Sequence, residues 1–256
     1  MKEPFDNDES IIQPRKRSGD PSVGLDVLLA LIPEDLDYLV RLHQDKEQTC
    51  HDMGFFKIYQ VKDEAMGLRT ICGPFIGAPQ AVMGTEKLIA LGARRLWILG
   101  WCGSLQPSLR IGDLVIPMNA ISEEGTSQHY PIPSKEPHTD HELNQILQTT
   151  LQSKGQSYTM GKVWTTDAPY RETHAKIKAY QGQGVLAVEM EMSALMAVAI
   201  FRAVKLAGLL VVSDELFDLT WHAGFKNSVF KAKRQWASEM LLGILASCGQ
   251  ALEKPF

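Results

Sequence analysis

Two short passages carry the side chains best suited to chemistry. In Val188-Glu189-Met190-Glu191-Met192-Ser193-Ala194 two carboxylates interrupt an apolar run, and in Leu209-Leu210-Val211-Val212-Ser213-Asp214 a second apolar run ends in acid. Each reads as a buried strand with an acid at its carboxyl end, the place where open α/β sheets hold ligands. Burying a carboxylate is costly unless it is paired or hydrogen-bonded. An ionised Glu only accepts hydrogen bonds, so Glu189 or Glu191 could grip a pair of vicinal hydroxyls, with Met190 as a soft apolar contact between them. The competing reading makes both acids helix-start residues, favoured there by ~0.3–1 kcal/mol. Asp214 is either a turn or N-cap aspartate or a general acid whose pKa burial lifts above ~3.9. Ser213 beside it can cap the next element.

The elements that must position these acids alternate along the chain. Val27 to Ile32 is an apolar run stopped by Pro33, and Phe55 to Val61 and Leu68 to Cys72 suggest two strands around a polar turn at Asp63-Glu64. Gln80 to Leu91 has helical spacing, with Pro79 at its start and Gly92 as its stop. Strands follow at Leu96 to Leu99, Asp113 to Pro117, Tyr158 to Trp164, Val185 to Val188 and Leu209 to Ser213. Helices are expected at Glu142 to Leu151, Tyr170 to Tyr180, about Glu191 to Lys205, and Asn227 to Ala251. Without linker or repeat, this is one α/β domain over residues 23–256, a central mixed β-sheet flanked by helices. A polar arm, residues 1–22 with Arg15-Lys16-Arg17, precedes it, as a solvated tail or as a reach towards a neighbouring subunit.

Composition narrows the function classes. A net charge of −4 leaves no nucleic-acid footprint, and no apolar run has the length of a membrane span. Cys50, Cys72, Cys102 and Cys248 are widely spaced, which reads as reduced thiols and a cytoplasmic location.

Two glycine-bearing turns, Gly73 to Pro79 and Gly100-Trp101-Cys102-Gly103, could bring backbone close to a ligand. Neither matches a P-loop or dinucleotide fingerprint. His138 and His141 lack a zinc-like ligand set, while His129 lies in an irregular segment that could cover a pocket.

The order of Gly77-Ala78-Pro79, Gly100 to Leu105, Ile111 to Pro117, Gly125 to Tyr130, Val188 to Glu191 and Val212-Ser213-Asp214 resembles the nucleoside phosphorylase family, from about Asp26 to the C-terminus. That family comprises purine nucleoside and uridine phosphorylases and methylthioadenosine-type nucleosidases. The resemblance implies that Glu191 binds the ribose 2′ and 3′ hydroxyls, that Met190 packs on sugar and base, and that Asp214 donates a proton to N7 of a purine. Tyr170, behind Pro169 where the family often has an aromatic, would supply a stacking face. It implies a small-molecule nucleoside substrate, no organic cofactor and no metal, phosphate as a co-substrate, and a homo-oligomer, dimer or hexamer.

The chain also departs from that family. Phosphorolytic members hold phosphate with a Gly-Asp-Pro segment and an Arg two residues on; here Glu34, Asp35 and Tyr38 stand in that stretch. A second phosphate Arg is matched by Ile98, and a nearby hydroxyl position by Trp101. Isoleucine cannot supply the bidentate, charged grip of Arg. Three readings remain open. Phosphorolysis would recruit cations from elsewhere, such as Arg15, Lys16, Arg17 or Lys57. Hydrolysis would use Glu34, Asp35 or Asp37 to activate water. The third is a nucleoside-binding protein without chemistry, against which a retained Asp214 argues.

Overall fold

The computed structural model describes residues 10–63 and 67–250, with side chains at 10–62 and 68–247. Residues 1–9 of the arm, Glu64 of the expected turn and the Cys248 side chain lie outside the described residues. The first half of the chain runs β1 (Asp26–Ala30), α1 (Pro33–Arg41), β2 (Gln48–Asp52), β3 (Lys57–Asp63), β4 (Gly67–Gly73), α2 (Ala78–Leu91), β5 (Arg95–Ser104) and β6 (Leu114–Glu123). The second runs α3 (His141–Ser153), β7 (Thr159–Thr166), α4 (His174–Gly182), β8 (Ala187–Glu189), α5 (Met192–Phe201), β9 (Lys205–Glu215), β10 (His222–Ala223) and α6 (Ser228–Gln250).

The strands form one mixed sheet in the order β10-β9-β6-β7-β8-β5-β1-β4-β3-β2, and β5 also pairs with β9. That extra pairing closes β9, β6, β7, β8 and β5 into a ring, with the remaining strands trailing off as an open wing. β5 and β9 run parallel from Arg95 opposite Lys205 to Ser104 opposite Glu215, with a register shift at Cys102/Gly103. β8 meets the end of β5 antiparallel, placing Val188 opposite Gly103.

Side-chain alternation along the buried strands splits the core between the two sheet faces. Val27, Leu29, Ile98 and Leu210 pack with Leu88 and Leu91 of α2 and Leu195, Met196 and Ala199 of α5. Leu28, Ala30, Trp97, Leu99, Leu209 and Val211 face α1, α3 and α6 through Leu39, Leu147, Phe230 and Leu241. α5 is apolar all round and its residues Met192 to Ala199 are buried, as expected of a helix enclosed on every side.

Several expected boundaries shift. Gly100 to Gly103 is the continuation of β5, not a turn, because Leu210, Val211, Val212 and Asp214 of β9 supply ladder partners along its length. The helix expected over Tyr170 to Tyr180 is broken: a 3-10 turn at Pro169–Arg171 precedes α4, which Thr173 caps by accepting from the Lys176 N–H. The helix expected to reach Lys205 ends at Phe201, and Lys205 already belongs to β9. α1 and the edge strand β2, short and polar, were not apparent from the sequence pattern.

α2 packs through Gly84 against the segment that joins it to β4. A Cβ there would stand 2.1 Å from Cε1 of the fully buried Phe75 ring. Gly84→Ala gains about 1 kcal/mol of helix propensity but forces overpacking that costs up to about 3 kcal/mol. The expected net is a loss of about 2 kcal/mol, read as a lower urea midpoint at unchanged slope.

Candidate active site

The carboxyl ends of β5, β8 and β9 converge, and Gly103 marks the point. A Cβ on Gly103 would lie 3.0 Å from Oδ2 of Asp214, 3.3 Å from Val188 and 2.6 Å from Leu216. The missing side chain is what lets these three strands bring their polar ends together.

The two glutamates have different work. Glu189, at the end of β8, accepts the backbone N–H groups of Glu191 and Met192, both at 2.6 Å, and the hydroxyl of Thr165. It therefore caps α5, the helix-start role that the sequence left open. Strand alternation does not extend to Glu191, because β8 stops at Glu189. Glu191 is the N-cap residue by position, yet its carboxyl does not cap its own helix. It reaches instead to the start of α2 and accepts the Gly77 N–H at 2.6 Å. Gly77, with φ +78°, takes the left-handed backbone that opens α2 and turns its N–H towards this acid. Burial raises both pKa values, to about 7 for Glu189 and about 8 for Glu191, where the neighbouring Glu189 charge adds to the effect. Glu189 collects three donors and Glu191 fewer, so Glu191 stays protonated to higher pH.

Asp214 is half-buried, and desolvation raises its pKa against two opposing hydrogen bonds. Oδ1 accepts the Ser213 hydroxyl at 2.6 Å, and Oδ2 accepts the Trp221 indole N–H at 2.9 Å. The Ser213 Oγ also lies 3.2 Å from the Cys102 carbonyl, so it can donate there and accept from a protonated Asp214. Glu172, in the turn before α4, is pushed up to about 7 by burial and then by the Asp214 charge.

The segment 122–130 is tied down by Glu124, a residue no sequence signal picked out. Its carboxylate accepts from the Ser122 and Ser193 hydroxyls and from the Thr126 and Ser127 N–H groups. The Gly125 N–H donates to Asp167 at 2.9 Å. These bonds link the loop to α5 and to the turn after β7.

The remaining predicted residues are distributed unevenly. Met190 is half-buried between the glutamates, and Cys102 is buried at the β5 end, with its thiol pKa raised by desolvation. The Tyr170 ring is fully exposed. His129 is exposed and lines a cleft of about 880 Å³ with Arg15, Lys16, Arg17, Tyr130 and Phe201; neither Asp214 nor Glu191 lines it. The described part of the arm folds on its own chain, Lys87 donating to the Arg15 carbonyl and to Asp20. Lys57 is exposed at the start of β3.

Of the three acids in α1, Glu34 and Asp37 face solvent and Asp35 is fully buried. Asp35 accepts from Arg234 of α6 at 2.7 Å and from the Trp101 indole at 2.7 Å. The Arg234 guanidinium lies 5.8 Å from the Trp101 ring. Tyr38 donates to Glu239 instead of facing a ligand, and Ile98 is core. Arg234 was missed because it lies 199 residues from its partner in an ordinary amphipathic helix.

Residues 27–248 match the model of the phosphorylase superfamily. A guanosine phosphorylase of Halorubrum lacusprofundi is 27% identical over 191 residues, 73% of this chain and 78% of that protein. A DeoD-type purine nucleoside phosphorylase of Bacillus cereus is 28% identical over 179 residues, 67% of this chain and 74% of that protein. Among solved structures, the Toxoplasma gondii purine nucleoside phosphorylase in complex with immucillin-H superposes with TM-score 0.79 at 20% identity, covering 90% of this chain and 93% of that one. Uridine phosphorylase from Vibrio fischeri gives 0.76 at 22%, covering 88% and 93%.

Carboxyl pKa values raised on folding mean that the folded state binds more protons than the unfolded one. Stability from Glu189 and Glu191 is then full below about pH 4.5 and is lost as pH rises through about 7 to 8. The melting temperature of the empty protein should fall between pH 5 and pH 8.5, and Glu191→Gln should flatten that fall. An equally steep fall in the variant would remove Glu191 as its source.

Proposed function

The chain belongs to the phosphorylase superfamily, and on that premise we propose that it is a purine nucleoside phosphorylase, cleaving the N-ribosidic bond to free base and ribose 1-phosphate. The observation that carries this reading is Asp214, a half-buried carboxyl beside the bare Gly103, against which β8, the strand that leads into Glu191, also packs through Val188. The activities named for the guanosine and purine nucleoside phosphorylases it resembles support the same substrate class.

In this scheme a phosphate oxygen attacks C1′ as the bond from C1′ to N9 breaks, and the bonding pair leaves on the purine. The ribose gains positive charge and the base negative charge. Glu191 accepts from the 2′ and 3′ hydroxyls, and ionised it stabilises the sugar's charge. Asp214 transfers its proton to N7, and its raised pKa keeps that proton available. Ser213 relays orientation by accepting from the acid while donating to the Cys102 carbonyl. Met190 packs against sugar and base.

Hydrolysis is the second reading, favoured by one observation. Where phosphorolytic relatives are expected to present arginines, this chain has Ile98 in the core and Asp35 in a closed pair with Arg234 under Trp101. A fully buried carboxylate there repels a phosphate dianion unless the pair opens, and of the three α1 acids only Asp35 lies inside.

Homo-oligomer assembly and a cytoplasmic location belong to the same proposal. Exposed Phe55, Ile76, Met83 and Phe201 offer apolar surface, and the described cysteines Cys50, Cys72 and Cys102 are free thiols.

The deciding assay follows base release from inosine, guanosine and adenosine with and without phosphate. Release that requires phosphate is expected; equal release without it would transfer the assignment to hydrolysis. Asp214→Asn should lower kcat about 10²–10⁴-fold with little change in nucleoside affinity. An unchanged kcat would remove Asp214 as the acid.

A further inference from the structure

Between β9 and β10 the chain makes a short braced loop ending at Trp221. The Leu216 N–H donates to the Ser104 carbonyl and the Leu219 N–H to the Leu216 carbonyl, both at 2.9 Å. Asp218 accepts the Thr220 N–H and pairs with His222 at 2.8 Å. Leu219 takes a left-handed conformation, φ +68°, which turns the chain back towards Asp214. Trp221 is 62% exposed, yet its single polar group is engaged with Oδ2 of Asp214. The ring rests 6.2 Å from Phe225, which in turn lies 6.0 Å from Trp101.

An indole N–H can only donate. While it sits on Oδ2, that oxygen is an acceptor, and a proton on Asp214 resides on Oδ1, facing Ser213. A purine is also a fused five- and six-membered aromatic bicycle. Once cleaved, it carries an N–H on its five-membered ring at the nitrogen that received the acid's proton. The bond from that N–H to the Asp214 carboxylate has the same donor type, acceptor and ring class as the bond Trp221 makes in the empty chain.

We propose that Trp221 is a positioning and specificity-determining residue of the base site, its indole standing in for the leaving purine on Asp214 and yielding that oxygen to the base during turnover. The exchange makes and breaks hydrogen bonds only. It rests on the reading of Asp214 as proton donor to a purine. The contact favours fused bicyclic azoles over single-ring pyrimidines, which lack an equivalent ring N–H beside a second ring. While it persists, the contact opposes the effect of burial on Asp214, and its release as the base arrives lets the acid keep its proton more firmly for transfer. The other groups facing Asp214 are the Ser213 hydroxyl beside it, the buried Cys102 thiol of β5, and Glu172 from the turn before α4, which burial and the Asp214 charge hold towards its neutral form against the opposing charge of Lys176.

The test compares the full-length wild type with Trp221→Phe and Asp214→Asn. Phenylalanine keeps a ring on Phe225 and removes only the donor, and an exposed position tolerates it. Binding of hypoxanthine by calorimetry should be about three- to tenfold tighter in Trp221→Phe, as one competing hydrogen bond is removed. The basic limb of its kcat/KM profile with inosine should move to higher pH, because a donor favouring the charged acid is gone. In the empty wild type, tryptophan emission should follow one titration that both variants lose. Unchanged affinity and an unmoved basic limb, in protein that does turn over purine nucleosides, would overturn the proposal alone. A fluorescence titration in a protein that neither binds hypoxanthine nor releases base would overturn the phosphorylase reading and the surrogate role with it, while locating the contact correctly.

Discussion

The parallel ladder between β5 and β9 closes five strands into a ring, and the polar groups of the cleft are held where they are by that closure. Its register brings Gly103 beside Asp214, and the antiparallel pairing of β8 brings Val188 to the same glycine. Three chain segments more than twenty residues apart then end within van der Waals reach of one missing side chain. A methyl group at Gly103 would press on the side chains of Val188 from β8 and of Asp214 and Leu216 at and just beyond the end of β9, so the approach is tolerated only without one.

A cleft built on buried carboxyls carries a standing electrostatic cost, and the chain meets it by giving each acid a different set of donors. Glu189 takes two N–H groups at the start of α5 and the Thr165 hydroxyl, which makes it part of the scaffold. Glu124 takes two hydroxyls and two N–H groups and ties the 122–130 loop to α5. Glu191 and Asp214 are satisfied less completely. That shortfall leaves both with unused acceptor capacity, the feature on which the proposed binding role rests.

The end of the cleft beneath Trp101 obeys another logic. Asp35 is the buried one of two first-turn acids of α1 and would be an isolated charge in the core without Arg234, which approaches from α6. A buried pair of this kind contributes little net stability, but losing one partner strands the other. The pair, Trp101 and the aromatic contacts of Trp101 with Phe225 and Phe230 connect α1, β5 and α6. The continuity of this group up to Trp221 couples the acid end of the cleft to the far helix through packed rings.

By itself the sequence determined the class of fold and set candidate acids at the ends of its buried strands. Apolar runs at Val27 to Ile32 and Leu209 to Val212, the capped helix after Pro79, and acids at strand ends are local signals, set by propensity and by the cost of burying charge within a few residues. It was silent on the division of labour between Glu189 and Glu191, because two carboxylates two residues apart look alike until their donors are known. It read Gly100 to Gly103 as a turn, since glycines interrupt a strand pattern unless a ladder partner, here more than a hundred residues away, supplies the hydrogen bonds. Glu124, Arg234 and Trp221 left no trace in spacing or composition. Only the tertiary structure assigned their partners, at separations of 69 residues for Glu124 with Ser193 and 199 for Arg234 with Asp35. Even Trp221, seven residues from Asp214, reaches it through the left-handed turn at Leu219. A hydrogen bond depends on position in space, and the spacing along the chain does not carry it across a sheet.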